Sequence, residues 1–260
     1  MKIEQVLSAL ERFAPLPLQE SWDNAGLQIG LTEAEVSGAL LCLDVTEKVI
    51  DEALSRGCNL VVSHHPLLFR GLKQVSDQTD VQRTVRRAIK HDICVISMHT
   101  NLDNAQGGVN WKMAERLVGR NTEAIQPMGE APKQSQWVMA TLPCPMAAED
   151  FVRLVKERFG VKCAHCNELL QRPVRTVAIC GGAGDFVLDE AIRQKADAFI
   201  TGEMHYHQYF GHEQEIQICV IGHYESEQFT TEVFQDIIRR DCPGVPTYIA
   251  ETTTNPIIYL

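Results

Sequence analysis

The chain has 260 residues, of which 45% are hydrophobic and 22% charged, a balance that excludes wholesale disorder. Thirty-four acidic residues against 24 basic ones give a net charge of −10, which repels phosphate backbones and argues against nucleic acid as a partner. No apolar run approaches the roughly 20 residues of a membrane helix, and Glu4 and Glu11 interrupt the N-terminal stretch where a signal peptide needs continuous apolar sequence. The expectation is therefore a cytoplasmic protein without membrane contact. The nine cysteines are odd in number and scattered, and Cys42, Cys94, Cys180 and Cys219 sit inside apolar runs, as reduced core residues do.

In chain order, Ile3–Phe13 is predicted as a helix with Val6, Leu7, Leu10 and Phe13 on one stripe. A strand over 38–43, a helix over Glu47–Ser55 that stops near Gly57, a strand over 59–62, a helix over 81–90 and a strand over 93–98 come next. This β-α-β-α-β succession favours parallel pairing. Arg83, Arg86, Arg87 and Lys90 form the solvated face of the helix at 81–90. The polar stretch 122–136, with Pro127, Gly129 and Pro132, is read as a linker. Beyond it come a strand (136–142), a helix (147–159), a strand (174–179), a helix (185–195) and the strand Ala198–Thr201. A strand (216–221), a helix (225–240) and an extended tail (247–260) close the chain. The fold class is α/β, divided into a metal-binding lobe at 1–125 plus 215–260 and a second α/β lobe at 126–214.

The histidines are where chemistry concentrates. His64 and His65 follow one apolar strand, His99 and Asp103 another, His223 and Glu227 a third. In open α/β sheets, ligands bind outside the carboxyl ends of strands. One such histidine alone reads as a hydrogen-bonding loop residue; their joint occurrence after three strands points to a metal. Imidazole with carboxylate suits zinc, iron, manganese or nickel, whereas calcium and magnesium take oxygen shells. With a helix starting near Glu225, His223 precedes it and Glu227 lies in its first turn, so both can face one ion. Glu225 competes for that place, or it serves the helix N-terminus. His64 and His65 would point to opposite faces of a regular strand, but the backbone before Pro66 can turn and aim them at two neighbouring ions. Three imidazoles and two carboxylates exceed the three ligands of an open catalytic zinc. A two-metal site, which generates a nucleophile from water at neutral pH, uses them all. His99 can also be an orienting group behind the ligands.

Other signals are weaker. Cys163-Ala-His-Cys166 has no second CxxC and reads as chance. Gly181-Gly182-Ala183-Gly184 lacks the Lys-Ser/Thr of a phosphate loop and reads as a tight turn. Gly202-Glu203-Met-His205-Tyr-His207 follows a strand and can line the same cleft. Trp22-Asp23-Asn24-Ala25-Gly26-Leu27 reads as a structural turn, with substrate contact as second choice.

Taken together, SWDNAGLQIG, SHHP at 63–66, HTNLD at 99–103, CGGAG, TGEMHYH and GHYESE resemble the NIF-three-like family, whose members are often called GTP cyclohydrolase I type 2 homologues. The blocks keep the family's order from residue 19 to residue 227. The resemblance implies a two-lobed fold with mixed, largely parallel sheets flanked by helices, a dinuclear centre with two divalent metal ions per chain, and a toroidal homohexamer. It implies His64, His65, Asp103, His223 and Glu227 as the metal ligands, the set to which the strand ends also lead. The chain is too short for the domain that larger relatives insert. The family label implies attack of water on C8 of a purine, ring opening and release of formate, with Glu203 and His205 as acid/base candidates. The alternative is a non-catalytic, ring-shaped scaffold that handles metal or binds a partner.

Overall fold

The computed structural model describes residues 1–119, 121–129 and 136–260. The chain builds two units: Met1–Ala105 with Thr230–Pro256, and Gln106–Phe229 with Ile257–Leu260. The first opens with α1 (Ile3–Phe13), β1 (Gly26–Ile29), β2 (Ala39–Cys42), α2 (Glu47–Ser55), β3 (Leu60–Ser63), α3 (Asp80–Lys90), β4 (Cys94–Ser97) and α4 (Thr100–Asp103). The second holds α5 (Val109–Val118), β5 (Ile125–Met128), β6 (Trp137–Met146), α6 (Ala148–Phe159), β7 (His165–Cys166), β8 (Val174–Cys180), α7 (Leu188–Arg193), β9 (Ala198–Thr201), β10 (Gln217–Val220) and α8 (His223–Glu227). Then α9 (Thr230–Asp241) and β11 (Thr247–Ile249) belong to the first unit again.

The first sheet has the order β1-β4-β3-β2-β11. β2, β3 and β4 pair in parallel, as the alternation of strands and helices predicts. Every residue of these three strands is buried, as expected for parallel strands covered on both faces. Threonine caps start both crossover helices: the Thr46 hydroxyl accepts from the Val49 amide at 3.3 Å, and Thr79 accepts from Gln82 at 3.2 Å. Val49, Ile50, Ala53, Val85 and Ala88 then pack with Leu40, Val61 and Val95 in one core. β1, absent from the sequence expectation, closes one edge antiparallel to β4. The tail expected at 247–260 contributes β11, parallel to β2 at the other edge.

The second sheet runs β5-β6-β8-β9-β10-β7 and is mixed: β8, β9 and β10 are parallel, while β5, β6 and β7 are joined antiparallel. Its core gathers Phe151, Val155 and Phe159 of α6 with Val138, Val177, Ile179 and Ile200. Part of the stretch expected as a linker forms β5, an edge strand where Pro127 is tolerated; residues 130–135 of that stretch lie outside the described residues.

Two expectations need correction. The helix expected at 185–195 opens as a 3-10 turn, Asp185–Val187, before α7. The helix expected at 225–240 is two helices: α8 starts earlier, at His223, and α9 begins at Thr230. Phe229 between them packs on Phe159 in the second core, with ring centroids 6.0 Å apart, whereas α9 buries Val233, Phe234, Ile237 and Ile238 in the first unit. β10 pairs with β9 and β7, and it lies with α8 in the second unit.

Candidate metal centre

In the first unit, the carboxyl ends of β2, β3 and β4 share one edge and deliver the polar residues. Beyond β3 the ladder continues: the His64 amide bonds the Cys42 carbonyl at 3.3 Å, and the His65 amide bonds that of Leu43 at 2.9 Å. The hydroxyl of Ser63 bonds the His65 carbonyl at 2.9 Å and meets that of Ser97 at 2.7 Å, which holds the turn out of the strand. As a result the two adjacent rings do not alternate. Their centroids are 4.9 Å apart, with His99 at 5.2 and 5.5 Å from them. Each of the three imidazoles places a ring nitrogen within 4.8 Å of the other two.

Hydrogen bonds behind the rings decide which nitrogen faces forward. His64 Nδ1 donates to the Met98 carbonyl at 2.9 Å, so the ring's lone pair is on Nε2, 3.6 Å from Asp103 Oδ1. His65 Nδ1 meets Asp44 Oδ1 at 2.7 Å, and Asp44 is steadied by the Thr254 hydroxyl at 2.6 Å. His99 Nδ1 meets Asp23 Oδ1 at 2.7 Å. A carboxylate behind an imidazole fixes its tautomer and raises its basicity as a ligand. α4 carries Asp103, and its neighbours anchor it: Asn101 Nδ2 donates to the Ala14 carbonyl at 2.7 Å and Asn104 Nδ2 to that of Leu18 at 2.8 Å.

Burial pushes the Asp23 carboxyl up, but bonds from His99, from the Thr100 side chain and from the Asn24 amide outweigh it and hold the group down at about 2. A depressed carboxyl contributes stability that is present above its unfolded value of 3.8 and lost as pH falls through about 2. Asp23→Asn is therefore expected to cost about 2 kcal/mol at neutral pH. Urea denaturation of both proteins across the acid range should show that difference shrinking as pH drops from about 4 toward 2.

In the second unit the parallel strands β8, β9 and β10 end at Gly181–Gly184, at Gly202-Glu203 and at Gly222-His223. α8 spaces His223 and Glu227 four residues apart, on one side of a single turn, with His223 Nε2 3.1 Å from Glu227 Oε2. His223 Nδ1 lies 3.0 Å from Glu203 Oε1, a carboxylate behind an imidazole once more. The glycines of the 181–184 turn make room for the buried Glu227. A Cβ at Gly182, whose φ is +59°, would stand 2.3 Å from Glu227 Oε1. Gly182 also donates its amide to the Ser226 hydroxyl at 3.0 Å, docking the turn on α8. Glu225, the competitor for the ligand role, instead accepts a bond from the Tyr259 hydroxyl. A pocket of about 410 Å³ opens beside His223, with Glu203, His205, Asp185 and Tyr259 on its walls. His205 is exposed and pairs with Asp185 at 2.9 Å, which raises the imidazole above its ordinary value.

His64, His65 and Asp103 thus come together within the first unit, and His223 with Glu227 and Glu203 within the second. The strand ends at 64 and 99 share a sheet; the one at 223 belongs to another. Sequence reasoning missed Asp44 and the role of Asp23. Asp44 follows the apolar run 39–43 just as His64 follows its own, so the same strand-end rule would have found it. Cys163 and Cys166 are free thiols, and Cys166 faces Cys219 across the β7–β10 pair.

The Duf34/NIF3 (NGG1p interacting factor 3) family model matches residues 1–256. The chain belongs to this family. Among NIF3 relatives, it is 35% identical over 231 residues to the GTP cyclohydrolase 1 type 2 homolog of Clostridium perfringens, covering 87% of each chain. The Campylobacter jejuni protein of the same name is 28% identical over 261 residues and matches at full length on both sides. The crystal structure of a Staphylococcus aureus hypothetical protein superposes with a TM-score of 0.89 at 27% identity, covering 100% of this chain and 99% of that one. A Bacillus cereus protein related to NIF3, 22% identical, shares the fold with a TM-score of 0.85 over 100% of this chain and 99% of its own. The two mixed sheets flanked by helices are therefore the NIF3 fold. Its residues include His and Glu groups able to hold metal, and among the described residues no helix is long and apolar enough to cross a membrane.

Proposed function

We propose that this NIF3 protein is a metal-dependent hydrolase of a small heterocyclic or nucleotide-like substrate, working as a homohexamer. Its centre consists of two divalent ions (zinc, iron, manganese or nickel) held by His64, His65, Asp103, His223 and Glu227. The observation that carries this reading is the repeated device of an imidazole backed by an acceptor. Met98 O behind His64, Asp44 behind His65 and Glu203 behind His223 each fix Nδ1 and leave Nε2 as the forward nitrogen. Imidazole and carboxylate donors fit first-row ions, and the cradle that a Cβ at Gly182 would fill keeps Glu227 beside His223. Ions bound there supply Lewis-acid polarisation of the substrate and a nucleophile from water at neutral pH.

The chain's own residues do the rest. His99, with Asp23 ionised behind it, can take a proton on Nε2 and pass it to a leaving group. Glu203 orients His223, and His205 with Asp185 offers a second proton carrier at the mouth of the pocket. The name GTP cyclohydrolase 1 type 2 homolog carried by the relatives supports a nucleotide-like substrate. The test is a turnover screen of the purified protein on GTP, phosphoesters and cyclic amides, before and after chelation and metal return. Turnover that chelation abolishes and metal restores is expected. Turnover that survives complete removal of metal, or none on any substrate with metal loaded, contradicts the reading.

A further inference from the structure

The imidazole cluster of the first unit is bordered by two large aromatic side chains that burial does not account for. Trp22 is 59% exposed and Phe69 44%, whereas the other two tryptophans, Trp111 and Trp137, are buried. Single exposed apolar residues are ordinary; these two are held in place. Asn24 Nδ2 donates to the Leu68 carbonyl at 2.7 Å, the Leu68 amide donates to Gln28 Oε1 at 3.0 Å, and Gln28 Nε2 donates to the Asn24 carbonyl at 2.7 Å. Two of these hydrogen bonds tie the segment that bears Trp22 to the loop that bears Phe69, and the third braces that segment internally.

The rings meet steeply. Trp22 and Phe69 lie 5.9 Å apart at 64°, Trp22 and His99 6.2 Å apart at 73°, and Phe69 and His99 6.3 Å apart at 84°. Edge-to-face contacts of this kind leave ring faces available to another flat group. Exposed aromatic rings beside an imidazole that Asp23 holds in place match a planar heteroaromatic ring. Stacking on an indole face is indifferent to the ring's substituents, while the imidazole can bond its edge.

We propose that Trp22 and Phe69 form the ring-holding subsite of this protein. A purine- or pterin-sized heterocycle stacks on Trp22, is walled by Phe69, and turns its edge toward His99. Trp22 and Phe69 are specificity-determining residues on this account, not catalytic ones. The inference deepens the hydrolase reading and rests on it for the chemistry done on the bound ring, but ring capture itself needs no turnover.

Because Trp111 and Trp137 are buried, Trp22 is the indole that a solvent quencher reaches, so its emission reports on the subsite. The full-length, metal-loaded protein is titrated with guanosine, adenosine, neopterin and inorganic tripolyphosphate, with tryptophan emission and the heat of binding as readouts. Saturable quenching is expected from at least one of the rings and not from tripolyphosphate. By calorimetry, Trp22→Leu should weaken that ring about tenfold, Phe69→Leu should weaken it less, and Trp22→Phe should restore affinity to within about threefold of the parent. Circular dichroism of each variant separates lost stacking from lost fold. The inference is overturned if no ring quenches saturably, if Trp22→Leu binds as well as the parent, or if iodide fails to reach Trp22 because a second copy covers it. Ring binding without any turnover would sink the hydrolase reading and leave the subsite standing. Metal-dependent turnover with KM unchanged in Trp22→Leu would do the reverse.

Discussion

Gly182→Ala is expected to destabilise the protein by about 2 kcal/mol or more and to displace the carboxylate of Glu227. The backbone at Gly182 has φ +59°, a conformation that costs a residue with a Cβ about 1–2 kcal/mol. The added methyl would also sit 2.3 Å from Glu227 Oε1 and 3.5 Å from His223 Cε1, so the carboxylate must move. Glu227 is only 4% exposed and has little room in which to do so. Gly160 is the matched control: it ends α6 in the same left-handed region, at φ +67°, and a Cβ there meets nothing within 4 Å. Gly160→Ala should therefore show the backbone cost alone, about 1 kcal/mol. Urea denaturation of both variants makes the comparison. Equal losses would show that the turn does not cradle Glu227.

Asp103→Ala and Glu227→Ala are each expected to reduce turnover by at least about a hundredfold and to lower the metal content of the purified chain. The two differ in their cost to the fold. Asp103 lies at the end of the short helix α4 with its side chain 25% exposed, so its loss is cheap in stability; Glu227 is buried, and its loss leaves a hole beside Gly182. Added zinc should raise the melting temperature of the parent, by mass action on the folded state, and should raise it less in both variants. A variant that keeps the full zinc shift and full turnover removes its residue from the centre.

How much of the fold and site was legible in the sequence depended on the length and regularity of each signal. The runs around residues 40, 61 and 95 are uniformly apolar and separated by well-capped helices, so the parallel sheet and its crossovers follow from pattern alone. β1 mixes exposed Leu27 and half-buried Gln28 with buried Gly26 and Ile29, and α5 follows two glycines without a capping side chain, so neither announces itself. The break between α8 and α9 was invisible because 225–240 is helix-compatible throughout. It arises from two cores that claim Phe229 and Phe234 separately. For the site, strand ends located the ligand-type residues, but a strand end says nothing about which sheet its strand joins, and β10 joined the second. Asp23 acts on His99 across 76 positions of sequence, a pairing that no local spacing encodes.

The reading proposed above is that His64, His65, Asp103, His223 and Glu227 together hold two divalent ions. Anomalous diffraction from crystals of the metal-loaded protein, recorded at the absorption edge of the bound metal, tests it most directly. The account predicts two neighbouring peaks per chain, with His64, His65 and Asp103 on the same ions as His223 and Glu227. Peaks bound by the residues of one unit alone, or no peak at either group, would contradict it.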